Sequence, residues 1–276
     1  MGWASRANRE NPDSWVRIAA TAELRAIGEI LSEKGLTAEA VYEIADNAGA
    51  WAAQCVAPLF MKAACGQGCS WCCALAVTAN AFDIVRAARA IEGLPNRDDV
   101  RARVLAAAAR EEQDEERRFD AGEWCPLLEV GRCAIYEARP ANCIACNAED
   151  VKPCEAFARF RTEGRQVPVG LETGVVNLRI NEAIARISDA ALLVLTIKRA
   201  IALGQRPAND DLAPDDKARA KAASRLRFVP AVAAVLTEGV EHFVTRWLRG
   251  GDVFAAYRLT GSTPNIIKGR TAAREG

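Results

Sequence analysis

The stretch CGQGCSWCC, residues 65–73, places four cysteines within nine residues and decides how the chain is organised. Gly66 and Gly68 let the backbone fold back, so that several sulfurs can converge. Thiolates at spacings of two or three residues are typical ligands of zinc or of an iron–sulfur cluster. Five more cysteines follow, at positions 125, 133, 143, 146 and 154. The spacing therefore predicts a metal site in irregular, cysteine-rich backbone.

The composition of the whole chain is typical of a globular protein rich in helix. Its 276 residues are 50% hydrophobic and only 6% aromatic. Lys plus Arg number 36 and Asp plus Glu number 36, so the chain lacks the basic excess of a nucleic-acid binder. The richest apolar run, residues 190–203, is interrupted by Lys198 and Arg199 and is too short to cross a membrane. We therefore expect no nucleic acid and no membrane as partners.

Ten cysteines also raise the alternative of a disulfide framework. Residues 1–12 are polar and contain no apolar signal-peptide core. A chain of this size also does not depend on disulfides for a stable core. We therefore expect a cytoplasmic protein in a reducing compartment, where clustered cysteines serve as metal ligands or redox groups.

Hydrophobic periodicity outside the cysteine-rich segments predicts helices. The first sixty residues contain two helical stripes, the second of which is capped by Thr37 and includes Cys55, interpreted as a buried apolar residue. Further helices are predicted over 78–91, 98–119, 174–203 and 237–248. Gly131 is the expected turn of a tiny hairpin. The predicted fold class is mainly α, a helical scaffold around an irregular cysteine-rich metal-binding core with at most a small β-hairpin.

These patterns divide the chain into four regions. Residues 1–64 form an N-terminal helical extension, and 65–160 form a cysteine-cluster metal-binding domain. Residues 161–260 form a C-terminal helical region packed on that domain, and 261–276 form a disordered tail. We expect the helical regions to offer a surface for a protein partner.

A resemblance to a known family rests on three stretches: the knot at 65–73, CPLL at 125–128 and CAIYEARPANC at 133–143. Together they resemble the YkgJ-type cysteine-cluster family, a zinc- or iron-chelating domain. The resemblance covers about a third of the chain, and C-x-I-Y-x-x-R-P-x-x-C is its most specific part. It implies eight ligands, Cys65, Cys69, Cys72, Cys73, Cys125, Cys133, Cys143 and Cys154. The chain departs from the family pattern at Ile144, where an arginine is usual, and at Cys146, which we predict as an extra or substitute ligand.

Three other residues are candidates for contact with the cofactor: Tyr136, Arg139 and Asp150. A guanidinium offsets the negative charge of a thiolate-rich site and donates hydrogen bonds to sulfur. A surface arginine on a turn is the alternative reading of Arg139. The side chains of the neighbouring residues Cys72 and Cys73 diverge from the backbone. They therefore suit two metals or two edges of one cluster better than a single ion.

Three functions are compatible with these residues. The preferred one is an iron–sulfur protein, with a 4Fe-4S cluster favoured over zinc, that works in redox chemistry or electron transfer. The second is a zinc-stapled structural or metal-handling module without catalysis. The third is a radical S-adenosylmethionine or methyl-transfer enzyme, suggested by the C-x-x-x-C-x-x-C spacing at 65–72. The sequence leaves open whether the chain is an enzyme, and the single histidine, His242, gives no support to a Ser–His–Asp or Cys–His site.

Overall fold

Helices dominate the structure, a computed structural model. It describes residues 12–56, 64–113, 123–146, 148, 150–163, 195, 198–199, 201–204, 226–250 and 253–258. Eight α-helices lie in these ranges: α1 Pro12–Lys34, α2 Ala38–Val56, α3 Ala81–Glu92, α4 Arg97–Gln113, α5 Ala141–Ala145, α6 Lys152–Thr162, α7 Phe228–Glu238 and α8 Val240–Leu248. The predicted fold class is confirmed.

Four strands of two residues each lie in the described ranges: β1 Thr78–Ala79, β2 Leu128–Glu129, β3 Arg132–Cys133 and β4 Leu226–Arg227. β2 and β3 pair antiparallel as the predicted hairpin. β1 and β4 form a second antiparallel pair, which the sequence did not predict. This second pair joins the backbone after the first cysteine loop to the C-terminal helices.

Side-chain caps explain where two of the predicted helices begin. Thr37 Oγ1 accepts a hydrogen bond from the backbone N–H of Ala40 at 3.2 Å, as predicted for the start of α2. The helix predicted over 78–91 begins later, because the Asn80 side chain caps it through the N–H of Asp83 at 2.9 Å. α4 agrees with the predicted 98–119 helix over Arg97–Gln113, and its predicted end lies outside the described residues.

The prediction of a continuous helix over 237–248 is wrong. Gly239 has φ of +89°, a left-handed conformation that glycine adopts without strain. The chain turns there, and α7 and α8 meet at 101°. Most of the helix predicted over 174–203 lies outside the described residues.

The core is organised around α3, nine of whose residues are buried. α2, α7 and α8 pack against it. Phe82 of α3 meets the Trp247 ring edge-on, with centroids 5.8 Å apart. Buried apolar residues between Ile27 and Phe254 form one cluster, so helices from both sides of the cysteine-rich segments share a core with α3.

No single helix in the described ranges has both the length and the apolarity that a membrane span requires. The α7–α8 pair meets them only when its two bent halves are counted together.

The β2–β3 turn yields a stability prediction. Val130 has φ of +44° and is fully exposed, so a β-branched side chain sits in a left-handed conformation without burying anything. Such a residue costs about 1–3 kcal/mol. Val130→Asn places the preferred Asn-Gly pair at the turn and is expected to stabilise the protein by about 1 kcal/mol. Thermal unfolding measures the change, with Val130→Thr as the control that keeps the β-branch; equal effects of both substitutions would contradict it.

Candidate metal centre

Three cysteine-bearing segments contact one another. The backbone N–H of Cys125 donates to the Cys73 carbonyl at 2.8 Å, which joins the hairpin segment to the first cysteine loop. The N–H of Ala64 donates to the Ala148 carbonyl at 2.9 Å, which joins the third segment to the same loop. α6, which carries Cys154, packs against the 3₁₀ turn Trp71–Ala74. Residues far apart in sequence thus share one region.

All nine cysteines predicted as ligands are free thiols of intermediate burial in this region: Cys65, Cys69, Cys72, Cys73, Cys125, Cys133, Cys143, Cys146 and Cys154. Cys55 lies on α2, but its side chain is outside the described residues. Among the described residues, no three His, Cys, Asp or Glu side chains already form a set that could hold a metal ion.

Cys72 lies at the centre of the thiol group. Hydrogen bonds with the Cys146 and Cys73 thiols, in that order, lower the pKa of Cys72, and the Arg139 charge lowers it further. The same hydrogen bonds are the largest cause that raises the pKa of Cys73 and of Cys146. These three thiols therefore share their protons, and one of them ionises far more readily than the others.

Burial is the largest cause that raises the pKa of five other thiols, and the charge of Cys72 adds to it in each. These are Cys65, Cys125, Cys133, Cys143 and Cys154. Burial and neighbouring charge raise the pKa of Cys125 to about 12 and that of Cys154 to about 11. Without a cation, these buried sulfurs hold their protons; a bound metal would displace them.

Backbone amides point at three of the sulfurs. The N–H of Ala148 donates to Cys65 Sγ at 3.2 Å. The N–H groups of Leu127 and Ile135 donate to Cys125 and Cys133, and both bonds lower the pKa of the thiol against the larger effect of burial. Hydrogen bonds of this kind favour the thiolate, which is the form that binds metals.

Arg139 supplies positive charge to Cys72, Cys133 and Cys143. Its guanidinium lies 3.7 Å above the centre of the Tyr136 ring, and its Nε donates to the Tyr136 carbonyl at 2.9 Å. Its charge opposes the dominant effect of burial on the pKa of Cys133 and Cys143. The structure therefore places Tyr136 and Arg139 together beside the thiols.

Asp150 lies at the start of α6, where its Oδ1 accepts a hydrogen bond from the N–H of Lys152 at 3.0 Å. Its charge makes a smaller contribution than burial, Cys65, Cys72 and Cys69 to the raised pKa of Cys154. Asp150 is thus a helix cap close to Cys154.

Aromatic residues and the histidine complete the set of residues that the sequence singled out. Trp71 and Trp124 stand next to each other, with ring centroids 6.2 Å apart, and 37% of Trp124 is exposed. The His242 side chain is 74% exposed and lies 3.5 Å from Glu238, in agreement with a position facing solvent.

Sequence reasoning missed a buried polar group on α3 that reaches the third cysteine segment. Asn80, Asp83 and Arg86 are each less than 10% exposed. Asp83 Oδ2 accepts from Asn80 Nδ2 at 2.7 Å and from the N–H of Ala141 at 3.2 Å. The available signal was the pair of charged residues three positions apart inside the apolar run AFDIVRAARAI, residues 81–91.

Comparison with known proteins gives one match. A family model described as "CxxCxxCC: Putative zinc- or iron-chelating domain" matches residues 64–160. No curated protein and no solved structure matches the chain. The matched segment holds all nine clustered cysteines, so the resemblance of this part of the sequence to a zinc- or iron-chelating cysteine-cluster domain is confirmed.

Proposed function

We propose that this protein holds an iron–sulfur cluster through the thiolates of its cysteine-rich region and works in electron transfer or redox chemistry in the cytoplasm. The observation that carries the proposal is the contact of the Cys72 thiol with Cys73 and Cys146, together with the effect of its charge on five further thiols. Protons shared among close, buried thiols are what a soft metal would replace. The family match supports metal binding, and the choice of iron over zinc belongs to the proposal.

The proposed ligands are the eight cysteines that the family resemblance implies, with Cys146 as an additional donor. The contact between Cys146 and Cys72 supports that addition. Eight thiolates are enough for two sites of four ligands or for one cluster with further donors. The 4Fe-4S form is the one we favour.

Protein groups around the sulfurs offset the negative charge that thiolates would carry. Thiolates bring negative charge into a region where burial disfavours it. The N–H groups of Leu127, Ile135 and Ala148 and the guanidinium of Arg139 offset that charge. An iron–sulfur cluster held there would supply one-electron transfer, and hydrogen bonds to its sulfurs would tune its potential.

The radical S-adenosylmethionine alternative gains no support from the fold. Such enzymes place their cluster on a partial α/β barrel, and the strands in the described ranges are two antiparallel pairs of two-residue strands. The division at residues 64, 160 and 260 stays a prediction, as does a partner surface on the helical regions.

Anaerobic purification followed by absorption spectroscopy and elemental analysis of one sample tests the proposal. A brown protein with iron and acid-labile sulfide supports it. A colourless protein with stoichiometric zinc contradicts the iron–sulfur assignment and favours a zinc-stapled module. A folded protein without metal contradicts both.

A further inference from the structure

The third cysteine segment is anchored to α3 by a charged pair inside the core. Arg86 Nη2 lies 3.6 Å from Asp83 Oδ1 and also donates a hydrogen bond to the backbone carbonyl of Arg139. Asp83 accepts the N–H of Ala141, two residues further along the same segment. The buried Asp83–Arg86 pair is thus hydrogen-bonded to one backbone carbonyl and one backbone N–H of the segment that leads into Cys143.

Asp83 also completes a helix that carries one proposed ligand, Cys143, and ends directly before another, Cys146. Ala141 is the first residue of α5, and the first N–H groups of a helix have no partner inside it. The Asp83 carboxylate takes that role from a distant part of the chain. The same helix positions Cys143, whose N–H donates to the Pro140 carbonyl at 2.9 Å, and Cys146, whose N–H donates to the Asn142 carbonyl at 3.1 Å.

A second attachment fixes the same turn. Asn142 Nδ2 donates to the Thr78 carbonyl at 2.6 Å and lies 3.1 Å from Thr78 Oγ1. Thr78 is in β1, so this bond ties α5 to the short strand that precedes α3. The clamp, defined as Asp83, Arg86, Asn142 and Thr78, therefore holds the start of α5 from two sides.

Arg86 can bind Asp83 and the Arg139 carbonyl only because residue 49 has no side chain. A Cβ built on Gly49 of α2 would lie 1.1 Å from Arg86 Nη1 and 2.2 Å from Cζ. Arg86 cannot swing away cheaply, since it is buried and bound at both Asp83 and Arg139. A glycine inside a helix costs roughly 1 kcal/mol relative to alanine, and here it makes room for the guanidinium.

We infer that Arg86, paired with Asp83 and passing over Gly49, is the positioning residue that sets Cys143 and Cys146 against Cys72. The inference rests on the proposed metal-binding function, because it assigns these residues to the geometry of the proposed ligands. Arg86 touches backbone and Asp83, not sulfur, and acts through the Arg139–Cys143 segment. Its loss would leave the thiols present but misplaced.

The test compares substitutions that break the clamp with substitutions that do not. Arg86→Met keeps much of the side-chain volume without the donors, and Gly49→Ala pushes the guanidinium aside. Gly28→Ala is the matched control, because a Cβ at Gly28 of α1 meets nothing within 4 Å. Val41→Ala, a buried position on the same helix as Gly49, controls for general loss of core stability.

The first measurement is the rate at which the purified holoprotein loses its metal to a competing chelator. Residues that support metal ligands typically change metal affinity by about 10–100-fold, and we expect a faster loss of this size for Arg86→Met and Gly49→Ala. Gly28→Ala should behave as wild type, and Arg86→Lys should recover part of the retention through its remaining donor. Wild-type retention in both clamp variants, or equal loss in Val41→Ala at matched thermal stability, would overturn the inference.

A second measurement separates this inference from the metal assignment. Native thiol labelling, mapped by mass spectrometry, compares Cys143 on α5 and Cys146 directly after it with Cys154 on α6, in protein without metal if wild type proves to bind none. Faster labelling of Cys143 and Cys146 alone in Arg86→Met supports positioning, even when the metal proposal has failed. Unchanged labelling, or a uniform increase at all three, overturns it.

Discussion

Cys72→Ser is expected to yield protein that retains little metal and unfolds at a much lower temperature than wild type. Cys72 contacts the thiols of Cys73 and Cys146, and its charge acts on five others, so its loss removes the centre of the donor group. In small cysteine-ligated domains metal binding contributes on the order of 10 kcal/mol to folding, so both losses should appear together.

Metal content by elemental analysis and thermal unfolding of the same samples measure both effects. Cys55→Ser is the control: Cys55 lies on α2 and is not among the nine predicted ligands, so its substitution should leave metal content unchanged. Full metal content in Cys72→Ser would refute the central position of this sulfur. Loss of metal in Cys55→Ser would show that the ligand assignment is wrong.

Asp83→Asn is expected to lower the free energy of unfolding by about 3–5 kcal/mol, the usual cost of removing one partner of a buried ion pair. The asparagine keeps an acceptor for the Ala141 N–H but leaves Arg86, which is 6% exposed, without its countercharge. Arg86 Nε is already buried without a hydrogen-bond partner among the described residues, so little else compensates.

Denaturant unfolding at fixed metal loading measures this effect. The double variant Asp83→Asn/Arg86→Met removes both charges and is expected to recover a large part of the loss, because a neutral pair leaves no buried charge. Strict additivity of the two single substitutions would show that the pair does not act as a unit.

The sequence was sufficient for features that depend on nearby residues. Gly131 marked the β2–β3 hairpin, Thr37 marked the start of α2, and the cysteine spacings marked the segments that converge. Each depends on local backbone preferences or on the chemistry of one residue type. This is why the fold class and the location of the cysteine cluster could be predicted.

Features that join distant residues could not be predicted in this way. The register of β1 with β4 aligns Thr78 with Arg227, and two strands of two residues leave no periodic pattern to read. The passage of Arg86 over Gly49 appears only when α2 and α3 are packed together. The break at Gly239 was missed because apolar spacing continues through it, while a positive φ interrupts the helix.

Because α3 shares its core with the C-terminal helices, its fold can be completed only after those helices have been synthesised. Residues 64–160 contain every clustered cysteine, yet α3 within them packs against α7 and α8, and β1 pairs with β4. These three partners all leave the ribosome later. The thiols are therefore made before the chain that completes their support. We expect ribosome-bound nascent chains to expose reactive cysteines that become protected only after the finished chain is released, as pulse alkylation would reveal. On the proposed function, stable metal binding would then follow translation rather than accompany it.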